Sequence, residues 1–263
     1  MSRMSKKLKF VIAGVVLVVV LAGVGIFLFL KDDAPEEANL ADAVATAEDA
    51  AGSDDEADDP ADDESADDAD DEAPAADGVE GTWAVDTTIG TFDFSDSASA
   101  TYVGFRIAEE LSGIGSTTAV GRTPAVTGEI TLEGTTLAEA TFEADLTQIT
   151  TDRSQRNSRV QSALETGEFP TATFVLSEPI DFGEGADAGD PVTITAVGDL
   201  TIHGITNPVE IELQAQLTGD IIVVVGQLNV SFADYDVEVP SAPIVVSASD
   251  EGVVEVQLFF SRA

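Results

Sequence analysis

Cysteine is absent from all 263 residues, which excludes a disulfide-stapled module, a thiol-anchored bacterial lipoprotein and a cysteine nucleophile. Lysine is absent beyond residue 31, and the bases of 81–263 are six Arg set against 28 acids. A domain with no basic face to displace counterions argues against nucleic acid as a partner. His203 is the only histidine. Zinc needs several His or Cys ligands and finds one candidate. A Ser-His-Asp triad would have to use His203, yet no Gly-x-Ser-x-Gly elbow is present, so a hydrolase ranks below a hydrogen-bonded strand residue as the reading of His203. Neither a cofactor nor catalysis is implied.

The charge that is present is divided into zones. Phe10–Leu30 is an unbroken run of 21 apolar or small residues, preceded by Arg3, Lys6, Lys7 and Lys9. That length crosses a bilayer core of roughly 30 Å as a helix. The positive-inside rule then places residues 1–9 in the cytoplasm, a transmembrane helix at 10–30 and the remainder outside the cell membrane. A cleaved signal peptide is the alternative, although its apolar core is usually only about 7 to 15 residues long. Residues 31–80 are an Asp, Glu, Ala and Pro tract with 22 acids. Such a composition predicts a disordered, self-repelling linker that holds a domain at 81–263 away from the membrane.

In that domain Gly, Thr and Val are abundant and helical periodicity is scarce, which predicts an all-β fold with one short helix. Coarse strands are read at 82–94, 101–107, 126–133, 137–147, 171–180, 192–202, 207–218, 221–232 and 252–261. The clearest is Val209–Leu217, where Val209, Ile211, Leu213, Ala215 and Leu217 alternate with Glu210, Glu212, Gln214 and Gln216. This period of two gives one dry and one wet face, the mark of an antiparallel sheet. A turn around Gly204, Asn207 and Pro208 makes it half of a hairpin. Phe142, Ala144 and Leu146, and Val254, Val256, Leu258 and Phe260, alternate in the same way and should face inward. Ile221–Val225 is apolar throughout and must be covered on both sides, which favours closure into a barrel over an open edge. Asp181–Pro191 reads as a loop whose acids lack calcium-loop spacing.

Four elements in order carry a resemblance: Trp83-Ala84-Val85-Asp86, a helix region with Arg156, the Phe169-Pro170-x-x-x-Phe174 strand entry, and the Leu200–Val209 hairpin with its L-T-I-x-G-x-T-x-P-V pattern. Together they resemble the YceI family of polyisoprenoid-binding proteins over essentially all of 81–263. The resemblance implies a lipocalin-like antiparallel β-barrel of about eight strands whose interior holds a polyisoprenoid or other long amphiphilic lipid. Two positions depart from the pattern. Asn157 stands where Asp is usual, which weakens a salt bridge, and Asn207 stands where Arg is common, which removes a possible head-group contact.

The expected interior residues are Phe105, Phe142, Leu146, Phe174, Val254, Val256, Leu258 and Phe260. Eight strands enclose space for one small ligand or for a packed core, and the pattern alone does not separate the two. A ligand-free barrel acting as a surface scaffold or adhesion module is therefore the alternative. Arg153, Arg156 and Arg159 recur every third residue and form a drifting stripe on a helix. They are read either as a rim for a lipid head group or, more simply, as partners of neighbouring acids. Trp83 and Tyr102 are read as plugs at the barrel ends.

Overall fold

The computed structural model describes residues 34–52, 78–113, 115–183, 186, 189–239 and 245–263. Thirteen strands and two α-helices are built from them. The strands are β1 (Gly81–Val85), β2 (Tyr102–Leu111), β3 (Gly115–Thr123), β4 (Val126–Glu133), β5 (Thr136–Asp145), β6 (Thr150–Thr151), β7 (Thr171–Leu176), β8 (Ile180–Asp181), β9 (Val192–Ile202), β10 (Ile205–Thr218), β11 (Ile221–Ser231), β12 (Val245–Ala248) and β13 (Glu251–Arg262). The helices are α1 (Leu40–Gly52) and α2 (Ser154–Ala163).

Hydrogen bonding runs β1-β4-β5-β7-β9-β10-β11-β13, and β13 returns to β1 through Val85 opposite Phe260 and Trp83 opposite Arg262. The result is an eight-stranded closed antiparallel barrel. β13 is long enough to serve two neighbours. Its Val253–Gln257 half pairs with β2, which carries β3 and β6 as a flap of sheet beyond the barrel wall.

The hairpin is real, but its turn is smaller than the pattern suggests. Residues 203–204 make the whole turn, with φ of 53° at His203 and 72° at Gly204. Two successive left-handed residues match the twist of the flanking strands. Asn207 and Pro208 instead lie inside β10, opposite Leu200 and Asp199. Pro208 is tolerated because the register with β11 begins only at Glu212, so no ladder bond is lost there.

Three further expectations are corrected. The strand read at 82–94 stops at Val85, because Asp86, Asp93 and Asp96 each turn back to accept bonds from residues two positions on. β3 was not anticipated, since its Gly-Ser-Thr-Thr-Ala-Val-Gly-Arg-Thr sequence offers no apolar alternation. Residues 34–52, read as part of a disordered linker, pack on the barrel. α1 buries Ala43, Val44 and Ala47 against Ile221, Val223, Val225 and Phe259. Small side chains let the helix axis approach closely, and its acids point outward, so an acidic composition does not prevent docking. The Ile221–Val225 run is covered on both sides, as it must be: Ile222 and Val224 face the interior, and the other three lie under α1.

Phe10–Leu30 and the acidic stretch 53–77 lie outside the described residues. Among the described residues no helix is long and apolar enough to cross a membrane.

Candidate functional site

Alternation on β5, β7, β9, β10, β11 and β13 sends every second side chain into the barrel without filling it. A cavity of about 170 Å3 remains, walled by Val209, Ile211, Leu213, Ala215 and Leu217 from β10 and by Val254, Val256, Leu258 and Phe260 from β13. Phe142 stacks beside Phe174 with ring centroids 6.5 Å apart and meets the edge of Phe260 at 5.8 Å. Glycine makes room for these rings. A Cβ at Gly128 would stand 2.6 Å from the Phe142 ring, and one at Gly198 would stand 2.4 Å from Phe174.

A second cavity of about 140 Å3 lies beyond Val103, Ala172, Leu200 and Val254, which belong to both walls. It includes Phe105, Leu146, Ile149, Val160, Phe232 and Tyr235. The eight interior residues expected from the sequence are thus divided. Phe142, Phe174, Val254, Val256, Leu258 and Phe260 line the first cavity, Phe105 and Leu146 line the second, and Val254 faces both.

Such a space excludes water without offering it partners, and a dry apolar void of this order holds a nonpolar molecule by burial alone. Each CH2 transferred from water contributes about 0.8 kcal/mol. No group of His, Asp and Glu among the described residues is placed to hold a metal ion.

A family model of the YceI-like domain matches residues 84–260. The chain belongs to the YceI-like family. A UPF0312 protein of Vibrio parahaemolyticus is 24% identical over 140 residues, covering 49% of this chain and 70% of that one. A UPF0312 protein of Vibrio vulnificus matches to the same extent. Among solved structures, a polyisoprenoid binding domain from Saccharophagus degradans implicated in plant cell wall breakdown superposes with a TM-score of 0.52 at 19% identity, covering 70% of this chain and all of that chain. That likeness concerns the fold.

In this YceI-like domain the arginine stripe does not form a rim. Arg156 pairs with Asp152 at 2.7 Å and with Glu109, and Arg153 lies 3.7 Å from Asp152. Arg159 is exposed on α2. None of the three lines either cavity. Asn157 does more than fill a vacated position. Its Oδ1 accepts from the Thr151 amide at 2.9 Å and the Thr151 hydroxyl at 2.7 Å, fixing the entry to α2. Asn207 donates to the Asp234 carbonyl at 2.7 Å. His203 holds the same segment: its Nδ1 lies 3.0 Å from the Tyr235 carbonyl, its Nε2 is 3.3 Å from Glu165, and the Phe169 ring meets it edge-on.

Trp83 sits in the core where β1 begins, donating to the Val79 carbonyl at 2.8 Å under the Arg262 guanidinium. Tyr102 is not a plug. It lies on the outer side of the wall, 4.3 Å beneath the Arg122 guanidinium. There Arg122, Arg106, Glu255 and Gln257 form a polar layer that sequence reading missed. Arg122 meets Glu255 at 2.9 Å, and Arg106 approaches the same carboxylate at 3.7 Å. The Glu36 carbonyl, just before α1, accepts from Arg122 at 2.9 Å. Burial in this layer pushes the Tyr102 hydroxyl well above its usual pKa, with the Glu255 charge adding to the rise.

Proposed function

We propose that this protein is a binding protein anchored in the cell membrane by Phe10–Leu30, with its barrel on the extracytoplasmic side, holding a polyisoprenoid or another long-chain amphiphilic lipid in the interior. One observation carries the reading: the inward faces of a closed eight-stranded barrel leave an apolar cavity where packed side chains would otherwise meet, and a second apolar cavity adjoins it between the barrel, β2 and α2. A barrel built only as a scaffold gains stability by filling that space, since interiors normally pack as densely as organic crystals. The polyisoprenoid-binding description of the Saccharophagus degradans domain supports the ligand class. The basic residues ahead of the apolar run support the orientation.

The mechanism is burial without a chemical step. The lipid occupies these cavities, and reorientation of Val103 or Leu200, which wall both, joins the two for a longer ligand. Native mass spectrometry of the full chain, followed by organic extraction, tests the reading. A stoichiometric adduct with a prenyl or acyl chain is expected. A clean apo mass after incubation with polyprenols and fatty acids would sink it in favour of a scaffold.

A further inference from the structure

We infer that the barrel selects chains whose polar end is uncharged, with the Tyr235 hydroxyl as the anchor for that end, and that it discriminates against phosphorylated or diphosphorylated chains. The inference rests on the lipid-binding reading above and specifies its ligand.

The first support is the location of every cation in 81–263. Arg106 and Arg122 are held on the outer layer by Glu255. Arg153 and Arg156 are held by Asp152 and Glu109. Arg159 is exposed on α2. Arg262 lies over Trp83. His203 faces the Tyr235 carbonyl and Glu165. None of these seven residues lines either cavity. The charged residues bordering the walls are instead Glu143 and Asp190, both at the first cavity, both acids and both exposed to solvent. A phosphate entering either cavity would lose hydration and meet no counter-charge.

The second support is independent of the first. Among the described residues, Tyr235 is the only one with a polar side chain in the lining of the second cavity. It is buried, and no hydrogen bond of good geometry satisfies its hydroxyl among the described residues, the Asn207 amide standing close beside it. Such groups are rarely left unpaired in folded proteins, because they give up water for nothing. Burial pushes the hydroxyl pKa up, partly offset by the neighbouring Asn207 amide, so at neutral pH it carries a proton to donate. An alcohol, a quinone carbonyl or a protonated carboxyl would accept it. The position of the ring is fixed from behind by His203 and Asn207, which hold the carbonyls of Tyr235 and Asp234.

The test is native mass spectrometry of the full chain released from nanodiscs loaded with equal amounts of farnesol, farnesyl diphosphate or farnesane. These share one branched fifteen-carbon skeleton and differ in the head, farnesane being its saturated hydrocarbon, so that the change in preference on substitution at Tyr235 is the quantity read. Farnesol is expected to bind about tenfold or more tightly than the diphosphate. Tyr235→Phe should reduce the preference for farnesol over farnesane about three- to tenfold, the worth of one hydrogen bond. Diphosphate binding equal to or tighter than farnesol would overturn the inference and leave the lipid reading standing. A preference for farnesol over farnesane that Tyr235→Phe leaves unchanged would remove Tyr235 as the anchor. Binding of none of the three would overturn both readings.

Discussion

The guanidinium of Arg122 lies 2.9 Å from the carboxylate of Glu255, and both side chains are completely buried on the outer side of the barrel wall. Glu255 stands between Val254 and Val256, which line the cavity. One strand therefore presents a dry ligand wall on one face and a sealed ion pair on the other. The cover is supplied by the loop after β1, through the Phe94 carbonyl and Ser97, and by Glu36 ahead of α1.

Removing one partner of such a pair is more damaging than removing both, because it strands a charge away from water. Glu255→Gln is expected to cost about 3–5 kcal/mol, leaving Arg122 without its counter-ion and Arg106 with Glu37 alone. The double variant Arg122→Met, Glu255→Leu should recover most of that loss. Urea denaturation of the three proteins checks the order. A double variant as unstable as the single one would show that the pair is more than a desolvated charge couple.

α1 is held by a face of small residues. Ala47 is fully buried in the layer that holds Val223 and Phe259. Ala47→Asp puts a carboxylate into that layer, where no base waits for it. The helix is expected to detach, and hydrogen exchange in 40–52 and in 221–225 should accelerate together. Exchange that stays slow in both segments would mean that α1 is secured by the residues ahead of it, through Glu36 and Glu37, instead of by this face.

Much of this architecture was legible in the sequence, and the parts that were not share a physical cause. Val209–Leu217 and Val254–Phe260 announced their inward faces because one side of each strand meets apolar space and the other meets something polar. Alternation cannot say what that polar something is. Glu255 and Gln257 fall on the face opposite Val254 and Val256, and a second layer, not water, covers them. The same limit hid α1: composition predicted disorder for an acidic tract, while docking depended on Ala43, Val44 and Ala47 finding a complementary face nearly 200 residues away in sequence. The arginine stripe was visible, but its partners Glu109 and Asp152 come from β2 and the loop before α2. Only the folded register brings them together.

Asn157 tests how a departure from the family pattern is tolerated. Its Oδ1 receives both bonds from Thr151, and an Asp carboxylate would receive them equally well. Asn157→Asp is expected to change stability little, whereas Asn157→Ala should cost about 1–3 kcal/mol by stranding the Thr151 amide, since the Thr151 hydroxyl keeps the Arg153 carbonyl as acceptor. Parallel thermal melts of both variants decide this. Equal losses would show that the amide group of Asn157 matters as well as its oxygen.

Asp145 gives the fold a dependence on acid. Its carboxylate accepts from the Thr147 hydroxyl at 2.6 Å, the Thr147 amide at 2.8 Å and Gln148 at 2.9 Å. Those bonds, the Thr147 hydroxyl first, hold its pKa below the ordinary 3.8. A depressed folded-state value means that the contribution is present above the unfolded value and is lost as pH falls through the folded one. NMR titration of the carboxylate should therefore give a midpoint below 3.8, and Asp145→Asn should flatten the acid limb of the stability curve. A midpoint at or above the ordinary value would contradict the hydrogen-bonding geometry.

Ala196 offers a test in which the sign of a stability change bears on the function. It is buried on β9 and lines the first cavity. Ala196→Leu pushes a branched side chain into that space. If the void is open, the added carbons gain roughly 0.8 kcal/mol each on burial, and the ligand loses the room they take. The expected result is an unchanged or higher unfolding midpoint together with reduced lipid occupancy. If side chains instead close the space in solution, the same substitution overpacks the core at a cost of about 1–3 kcal/mol. Paired measurement of melting and of bound lipid separates the cases, because a packed scaffold becomes less stable with no occupancy to lose, whereas a lipid-binding barrel holds its stability as its ligand is displaced.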